Sequence, residues 1–503
     1  MKAEVINATE SGNESISEHM EMRIKNRDQL TQLGVNVYGS RYPTTGTIGE
    51  VVEKHKDLKE SEEGEEVSIA GRLMALRGHG KASFGDIEDV TGSIQIYLKQ
   101  NKIGEDKYKL LKFVDIGDFI GVKGKIARTR RGELTVFLED FTFLTKSLRP
   151  PPEKYHGLKD VEIRYRRRYV DLLSNPDVRR KFLIRSKIIS EMKSYLESRD
   201  FTEVETPSMS LIAGGANARP FTTHHNALNM DLYFRIATEL YLKRLIVGGM
   251  DRVFEIGRIF RNEGIDTKHN PEFTMLELYW AYADYTDMMN LSEELISHLC
   301  EKILGTHEVE FDGKKLNLKP PFARITMEEA FRKYADIDMK KLRELDYARD
   351  IAEKYELNLE RKEDVGYIIN KIFDVSVEPH LVQPTFVMDY PIEISPLAKK
   401  KEDDPSLTYR FELFMANSEI VNAFSELNDP VDQKNRFLDQ LKKKELFHDE
   451  EAHPLDEDYI MALEYGMPPT GGIGIGIDRL VMMMTDSPSI RDIILFPLMK
   501  QKD

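Results

Sequence analysis

Residues Phe254–Tyr279 read FEIGRIFRNEGIDTKHNPEFTMLELY. Side chains of a strand alternate between faces, so Glu255, Gly257, Ile259, Arg261 and Glu263 fall on one side. Gly264–Pro271 has the polar, glycine- and proline-bearing make-up of a loop. Phe273, Met275, Glu277 and Tyr279 then share one face of a returning strand. The pattern predicts a long hairpin with Arg261, Phe273 and Glu277 on one side and His269 in the loop. A planar guanidinium suits a phosphate, an aromatic ring suits a base, and a carboxylate suits a cation. A surface hairpin laced with ion pairs is the competing reading of this segment.

Two flanking segments extend the pattern. Gly471–Arg479, GGIGIGIDR, is not a dinucleotide fingerprint, because Ile477 stands where the third glycine of G-x-G-x-x-G belongs. Its glycines allow a strand to run into a helix close to a ligand, with Arg479 beside it; a merely tight strand is the alternative. Phe201–Pro207, FTEVETP, follows a helical stretch, Ile163–Lys193, broken at Asn175–Pro176. That stretch carries Arg164, Arg166, Arg167, Arg168, Arg179, Arg180 and Arg185. Alone, FTEVETP carries no chemistry.

Towards the amino terminus the pattern changes. Residues 1–15 are polar and expected to be disordered, and Ile16–Leu33 reads as a helix ending at Gly34. A polar loop follows, then the acidic run Glu60–Glu66, read as a solvated face. Strands are expected at Val67–Leu73, Lys81–Ile87, Ile94–Leu98, Phe119–Ile126 and Leu134–Leu144, with turns at Asp89–Gly92 and Arg130–Gly132. Five short strands suggest an oligonucleotide-binding (OB) barrel. Pro150–Pro152 marks a stiff boundary before a large mixed α/β region. Within it, Thr326–Glu329 is a capping box whose helix would bury Met327, Ala330, Phe331 and Tyr334. The expected organisation is 1–64 (tail and helix), 65–149 (barrel) and 150–503, with a helical insertion at about 326–377.

Taken in chain order, the three segments resemble the signature motifs of class II aminoacyl-tRNA synthetases, most closely the bacterial-type lysine-specific branch. The resemblance runs from about Ile16 to the carboxyl terminus. It is carried by GKASF (Gly80–Phe84), HGLKD (His156–Asp160), GGANARPF (Gly214–Phe221), TELYLKRLIVGG (Thr238–Gly249), FRNEG and HNPEFTMLELY, and FSELNDP (Phe424–Pro430). It implies an α+β protein: a five-stranded OB-fold β-barrel that reads an anticodon, then an antiparallel catalytic sheet flanked by helices. The implied reaction joins lysine to ATP as an adenylate and passes the lysyl group to the 3′ end of tRNA(Lys).

The resemblance also implies residue roles. Arg261 would hold the ATP α-phosphate, and His269 and Arg479 would reach the β- and γ-phosphates, making Arg261 and Arg479 the catalytic pair. Phe273 would stack on adenine with Arg479 over its other face, and Glu263 and Asn270 would lie beside it. Glu239 and Asn422 would bind the α-amino and carboxylate end of lysine, and Glu277 and Glu426 its ε-ammonium. Tyr279 and Phe424 would line the stem, and Gly214 and Gly215 would begin a closing loop. In the barrel, Phe84 would stack on a base while Arg77, Gln95 and Glu133 read base edges; Phe84 as a core residue is the alternative. FTEVETP and the helix before it would form much of a homodimer interface, with the arginine run facing that interface and tRNA.

The carboxylates point independently to a cationic substrate. RFELFMANSEIVNAFSELNDP (Arg410–Pro430) predicts a hairpin turning near Ala416–Ser418, with Asn422, Phe424 and Glu426 on one face of its second strand. With Glu239 and Glu277 these residues make an acidic pocket with aromatic walls, suited to an ammonium on a methylene stem. An aspartate-specific relative needs a cation there, which weighs against an aspartyl- or asparaginyl-type enzyme. A non-catalytic RNA-binding paralogue would have no use for Arg261, Arg479, Glu412 and Glu419. By the resemblance, Glu412 and Glu419 would be Mg2+ ligands beside ATP, with Glu412 also facing the nucleotide; without the resemblance, two ordinary surface glutamates are the favoured reading. Glu419 has the wrong parity to share the face of Asn422, so a bulge or loop is required.

Composition bounds these readings. The 503 residues are 41% hydrophobic and 32% charged, which excludes a wholly disordered or collagen-like chain. A net charge of −15 weighs against indiscriminate polyanion binding, so RNA must be held by local basic patches. The single cysteine, Cys300, rules out an intrachain disulfide and fits a reducing, cytoplasmic setting. MKAEVINATESGNES has no apolar core, so no signal peptide is expected. Apolar runs such as Leu480–Met484 are far too short to span a membrane. His448 and His453 lie five apart, not the four a zincin helix needs, and read as a charged surface helix.

Overall fold

The computed structural model of the chain describes residues 10–60, 62–152, 158, 160–447 and 455–501. Residues 1–9, three positions of the His156–Asp160 stretch and the His448–His453 spacing lie outside the described residues. The chain divides into two compact units, Met1–Lys159 and Asp160–Asp503.

In the first unit, helices α1 (Glu10–Gln32) and α2 (Ile48–Lys54) precede strands β1 (Glu63–His79), β2 (Ala82–Glu88) and β3 (Ser93–Lys99). Short helices α3 (Gln100–Ile103) and α4 (Glu105–Leu110) lead to β4 (Phe119–Arg128) and β5 (Leu134–Thr145). The strands close into a barrel in the order β1-β2-β3-β5-β4. Period-two alternation drives the closure: Ile87, Ile94, Ile96 and Leu98 turn into the core while their neighbours face out. At Gly124, β4 and β5 approach so closely that a Cβ would lie 2.2 Å from the Phe137 carbonyl oxygen.

Three expectations for this unit are corrected. Helix α1 begins at Glu10, inside the stretch expected to be disordered. It packs on the barrel, burying Leu30 in the barrel core and donating from Arg23 to the carbonyls of Ile116 and Ser147. Helix α2 falls in what reads as a polar loop and is fixed by a Thr47–Glu50 capping box. The Glu60–Glu66 run is partly strand, because Glu63 and Glu66 meet Lys125 and Lys123 across β4, and such cross-strand pairs offset poor strand propensity.

The second unit opens with α5 (Val161–Arg166), α6 (Arg168–Ser174) and α7 (Pro176–Glu197), so the arginine-rich stretch breaks at Arg167 as well as Asn175. Strand β6 (Thr202–Glu203) follows, then a small sheet of β7 (Met209–Ser210), β8 (Thr222–His225) and β9 (Met230–Phe234). Next come α8 (Glu239–Val247), β10 (Arg252–Phe260), β11 (Glu272–Ala281) and α9 (Tyr285–Leu299). A hairpin of β12 (Glu308–Phe311) and β13 (Lys314–Asn317) leads to β14 (Ala323–Thr326). Helices α10 (Met327–Ala335), α11 (Leu345–Lys354) and α12 (Val365–Ser376) share a core around Phe331, Ile368 and Phe373. Tyr334 is only half-buried, stacked on His380 rather than sealed in that core. The chain finishes with β15 (Thr385–Met388), β16 (Arg410–Met415), β17 (Ser418–Ser425), α13 (Pro430–Phe447), α14 (Glu457–Glu464), β18 (Thr470–Gly476), α15 (Ile477–Met484) and α16 (Ile490–Ile493).

Eight strands form one sheet in the order β14-β15-β16-β17-β18-β11-β10-β6, antiparallel except at its two ends. Leu276, Leu278, Val421, Ala423, Ile473 and Ile475 face a core completed by α7, α9 and α15. The opposite face carries the polar side chains of β11 and β17. Two arginines of the arginine-rich stretch turn inward, not to an outer surface. Arg168 is fully buried against Asp171 and the carbonyls of Arg491, Ile494 and Leu495. Arg185 bonds Asp478 and Thr274. Each satisfies carbonyl or carboxylate groups that would otherwise be buried unpaired.

Candidate active site

A cavity of about 450 Å³ lies on the polar face of the sheet. Its floor follows from register: Gly474 of β18 sits between Glu277 of β11 and Asn422 of β17, and Gly472 between Tyr279 and Phe424. The glycines leave room that side chains would fill. A Cβ on Gly472 would lie 2.1 Å from a Glu426 oxygen and 2.5 Å from Tyr279 Cε1. The alternate glycines of GGIGIGIDR therefore serve side-chain approach across the floor.

At one end of the cavity stand Arg261, Glu263, His269, Asn270, Phe273 and Arg479. Arg261 follows β10, and its guanidinium lies 5.2 Å from the centre of the Phe273 ring. His269 contacts Asp266 through Nδ1 at 2.8 Å, and Arg479 Nη2 stands 3.3 Å from Nε2. With Nδ1 protonated towards Asp266, Nε2 is free to accept from Arg479. Arg479 also donates to the Glu419 carbonyl at 2.7 Å. Its neighbour Asp478 is clamped by Arg185 and by the Thr274 backbone amide, which fixes the start of α15. Asn270 Nδ2 donates to the Glu272 carbonyl, while its buried Oδ1 has no hydrogen-bond partner among the described residues.

Glu412 and Glu419 line the same cavity. The β16–β17 ladder pairs Leu413 with Val421 but Phe414 with Glu419, leaving Ile420 as an extra residue. This bulge resolves the parity conflict of Glu419. Burial, then the nearby Glu419 charge, pushes the Glu412 carboxyl up to about 7. Tyr390 and Arg410 donate to its two oxygens at 2.9 and 2.6 Å. No group of three or more His, Cys, Asp or Glu side chains among the described residues could hold a metal ion. A pair of close carboxylates suits Mg2+, which keeps waters and phosphate oxygens in its remaining positions.

The other end is acidic. Glu239, at the start of α8, joins Glu277, Glu426, Tyr279, Asn422 and Phe424 around the cavity, and Gly215 lines it too. Gly214 does not line it; it packs towards Leu240. Glu277 accepts from the Thr238 amide at 3.1 Å; burial and then the Glu239 charge raise it to about 7. Burial raises Glu426 to about 8 despite an adjacent ammonium. That ammonium belongs to Lys243, fully buried, 2.6 Å from Glu239 Oε1 and paired with Glu426. Sequence reasoning missed Lys243, although its spacing of four from Glu239 within an apolar helix is a visible signal. Arg410, which reaches Asn422 Oδ1 at 3.2 Å and lies 5.5 Å from the Phe424 ring centre, was also missed.

On the barrel, Phe84 is half-exposed between buried Ser83 and Gly85, so it belongs to the outer face. Its ring centre lies 4.6 Å from that of Tyr97, which lies 5.4 Å from that of Phe137. Arg77, paired opposite Phe84 on β1, bonds Asp86, and Gln95 accepts from Thr135. Glu133 is exposed at the end of the β4–β5 turn. Tyr97 and Phe137 extend the aromatic surface beyond what the sequence singled out.

Residues 160–500 match the family described as tRNA synthetases class II (D, K and N), and residues 67–144 match the OB-fold nucleic acid binding domain family. The chain is 54% identical to a lysine–tRNA ligase of Moorella thermoacetica, covering 97% of this chain and 99% of that protein. It is 56% identical to one of Pelotomaculum thermopropionicum (97% and 96%) and 51% identical to one of Bacillus subtilis (98% and 99%). The chain therefore belongs to the class II tRNA synthetases and, within them, to the lysine–tRNA ligase family.

Proposed function

We propose that the chain activates L-lysine with ATP and transfers the lysyl group to tRNA(Lys). The observation that carries this reading is a cavity with two arginines and an aromatic ring at one end and three buried carboxylates at the other. Arg261 and Arg479 offset the charge that develops on the phosphates as the lysine carboxylate attacks the α-phosphorus and pyrophosphate leaves. Phe273 stacks on adenine, with Glu263 and Asn270 at its edge, and His269 faces the outer phosphates. Glu239 and Asn422 hold the α-amino and carboxylate end of lysine, and Glu277 and Glu426 its ε-ammonium. Tyr279 and Phe424 line the methylene stem, while Gly214 and Gly215 begin the covering loop. A hydroxyl of the terminal adenosine of tRNA then attacks the adenylate, with no protein nucleophile required.

Glu412 and Glu419 would hold Mg2+ against the phosphates, where the ion supplies charge neutralisation. In the OB barrel, Phe84 stacks on an anticodon base, and Arg77, Gln95 and Glu133 read base edges. The reading includes a homodimer formed through the FTEVETP region and a cytoplasmic location. No helix among the described residues is long and apolar enough to cross a membrane. ATP–pyrophosphate exchange with each amino acid in turn tests the function: lysine alone should support it. Exchange driven by aspartate or asparagine, or by none, would overturn the reading.

A further inference from the structure

Three carboxylates converge on the amino-acid end of the cavity, yet a resident cation already stands among them. Lys243 lies one helical turn after Glu239 on α8 and is fully buried. Its ammonium is 2.6 Å from Glu239 Oε1 and in contact with Glu426, which follows β17. Neither Glu426 oxygen accepts a regular hydrogen bond from any described residue, so this ion pair is what orients that carboxylate. Gly472 gives it space, since a Cβ there would fall on Glu426 Oε1. An uncompensated buried carboxylate takes up a proton rather than remain charged.

Building on the lysine reading above, we infer that Lys243 is a positioning and specificity-determining residue. It bridges Glu239 and Glu426, holds both in place for the two ends of an incoming diammonium substrate, and lowers the cost of ionising Glu426. The charged and titratable groups around Glu426 are Glu239 and Lys243 from α8, Glu277 and Tyr279 from β11, and Tyr459 from α14. Lys243 is the cation paired with Glu426, while Arg244 of α8 lies 5.5 Å from the centre of the Tyr459 ring. Without it, Glu426 and Glu239 repel each other in a dry site, and Glu426 ionises only at higher pH. With it, three carboxyl groups face one internal ammonium, an excess of acidic groups that the ammonium groups of free lysine pair with as the remaining protons leave. A neutral amino acid would leave that excess unpaired, so Lys243 adjusts the pocket's charge without abolishing its preference for a cation.

The test uses the full-length enzyme and Lys243→Met, which keeps side-chain bulk and removes the charge. Exchange kinetics are measured for lysine and for ATP between about pH 6 and pH 9, with thermal melting as the check on folding. Lysine KM should rise about ten-fold or more, and the acid limb of kcat/KM for lysine should move to higher pH, with ATP KM little changed. Lysine KM and pH profile unchanged in a folded variant would overturn the inference. Lys243→Met combined with Glu426→Gln provides a second route if the single variant does not fold. If Lys243 acts through Glu426, the double variant should resemble Glu426→Gln alone in lysine KM and regain a flatter acid limb. Fully additive losses, shared equally by lysine and ATP, would mean a merely structural lysine. Wild-type enzyme that does not respond to lysine would instead sink the functional reading itself.

Discussion

Glu412 and Glu419 face the same cavity because β17 carries one residue more than β16 between their pairings. The extra residue, Ile420, is buried and takes up the offset. Without it, strand alternation would turn Glu419 away from the face that holds Asn422. The bulge is thus what brings two carboxylates together where one alone would face an arginine and a tyrosine.

If these two carboxylates hold Mg2+, Glu419→Gln should raise the magnesium concentration needed for half-maximal exchange by about ten-fold, a loss of roughly 1.4 kcal/mol of binding. Lysine KM at saturating magnesium should change little. Magnesium titrations of exchange activity, mutant against wild type, measure this. An unaltered magnesium requirement would leave Glu419 as a partner of Arg479 only.

Arg261→Ala should abolish adenylate formation while the fold survives. The guanidinium lies against Phe273 on the inner side of the hairpin, where contact with phosphate counts most as charge develops. Near-normal exchange with a normal melting curve would remove Arg261 from the chemistry.

Phe84→Ala should weaken tRNA charging and spare exchange without tRNA. The ring stands on the outer face of the barrel, so its loss removes stacking of roughly 1–3 kcal/mol rather than core packing. Aminoacylation kinetics and exchange are compared in the same preparation. Equal losses in both would contradict an RNA-facing role.

Lysine binding should release protons near neutral pH. Burial and the Glu239 charge raise Glu277 to about 7, so the empty site holds a partly protonated carboxyl there. An incoming ammonium favours the carboxylate and expels that proton. Lysine affinity should therefore fall as pH drops below about 7, and proton release should fade well above it. The same shift acts on stability with the opposite trend: the empty fold holds a proton that the unfolded chain releases, so this contribution weakens as pH rises from the usual carboxyl range to about 7. Calorimetry in buffers of different ionisation enthalpy reads the released protons. Proton uptake on binding would exclude the assignment.

Gly472→Ala should impair lysine use more than ATP use. The new methyl would collide with Glu426 and Tyr279 and push these buried side chains into the lysine end of the cavity they line. A rise in lysine KM of about ten-fold or more is expected, while ATP KM stays within about three-fold. Equal changes in both would indicate a general distortion of the sheet.

The hairpin of Phe254–Tyr279 and the five barrel strands were legible because period-two alternation survives wherever one strand face is buried. The glycines of GGIGIGIDR were legible as a place of close approach, but not as the floor between Glu277 and Asn422, since register is a property of three strands. Lys243 escaped because a lysine in a helix is ordinarily solvated, and only the fold brings Glu426 to it. The arginine-rich stretch misled for the converse reason. Nothing local distinguishes Arg167, which is exposed, from Arg168, which is sealed beneath three carbonyls of the chain's far end. The Ile420 bulge was demanded by parity yet could not be placed without the partner strand.

The closed circuit of the barrel, with β4 returning to β1, restricts how it can engage a partner. Closure leaves the strands little vacant main-chain edge, so pairing as an added strand is a poor route for a partner. What its outer face recognises is met mainly by side chains. Its selectivity can then be rewritten one outward-facing position at a time, with Ser83, Gly85 and Ile87 beneath left untouched.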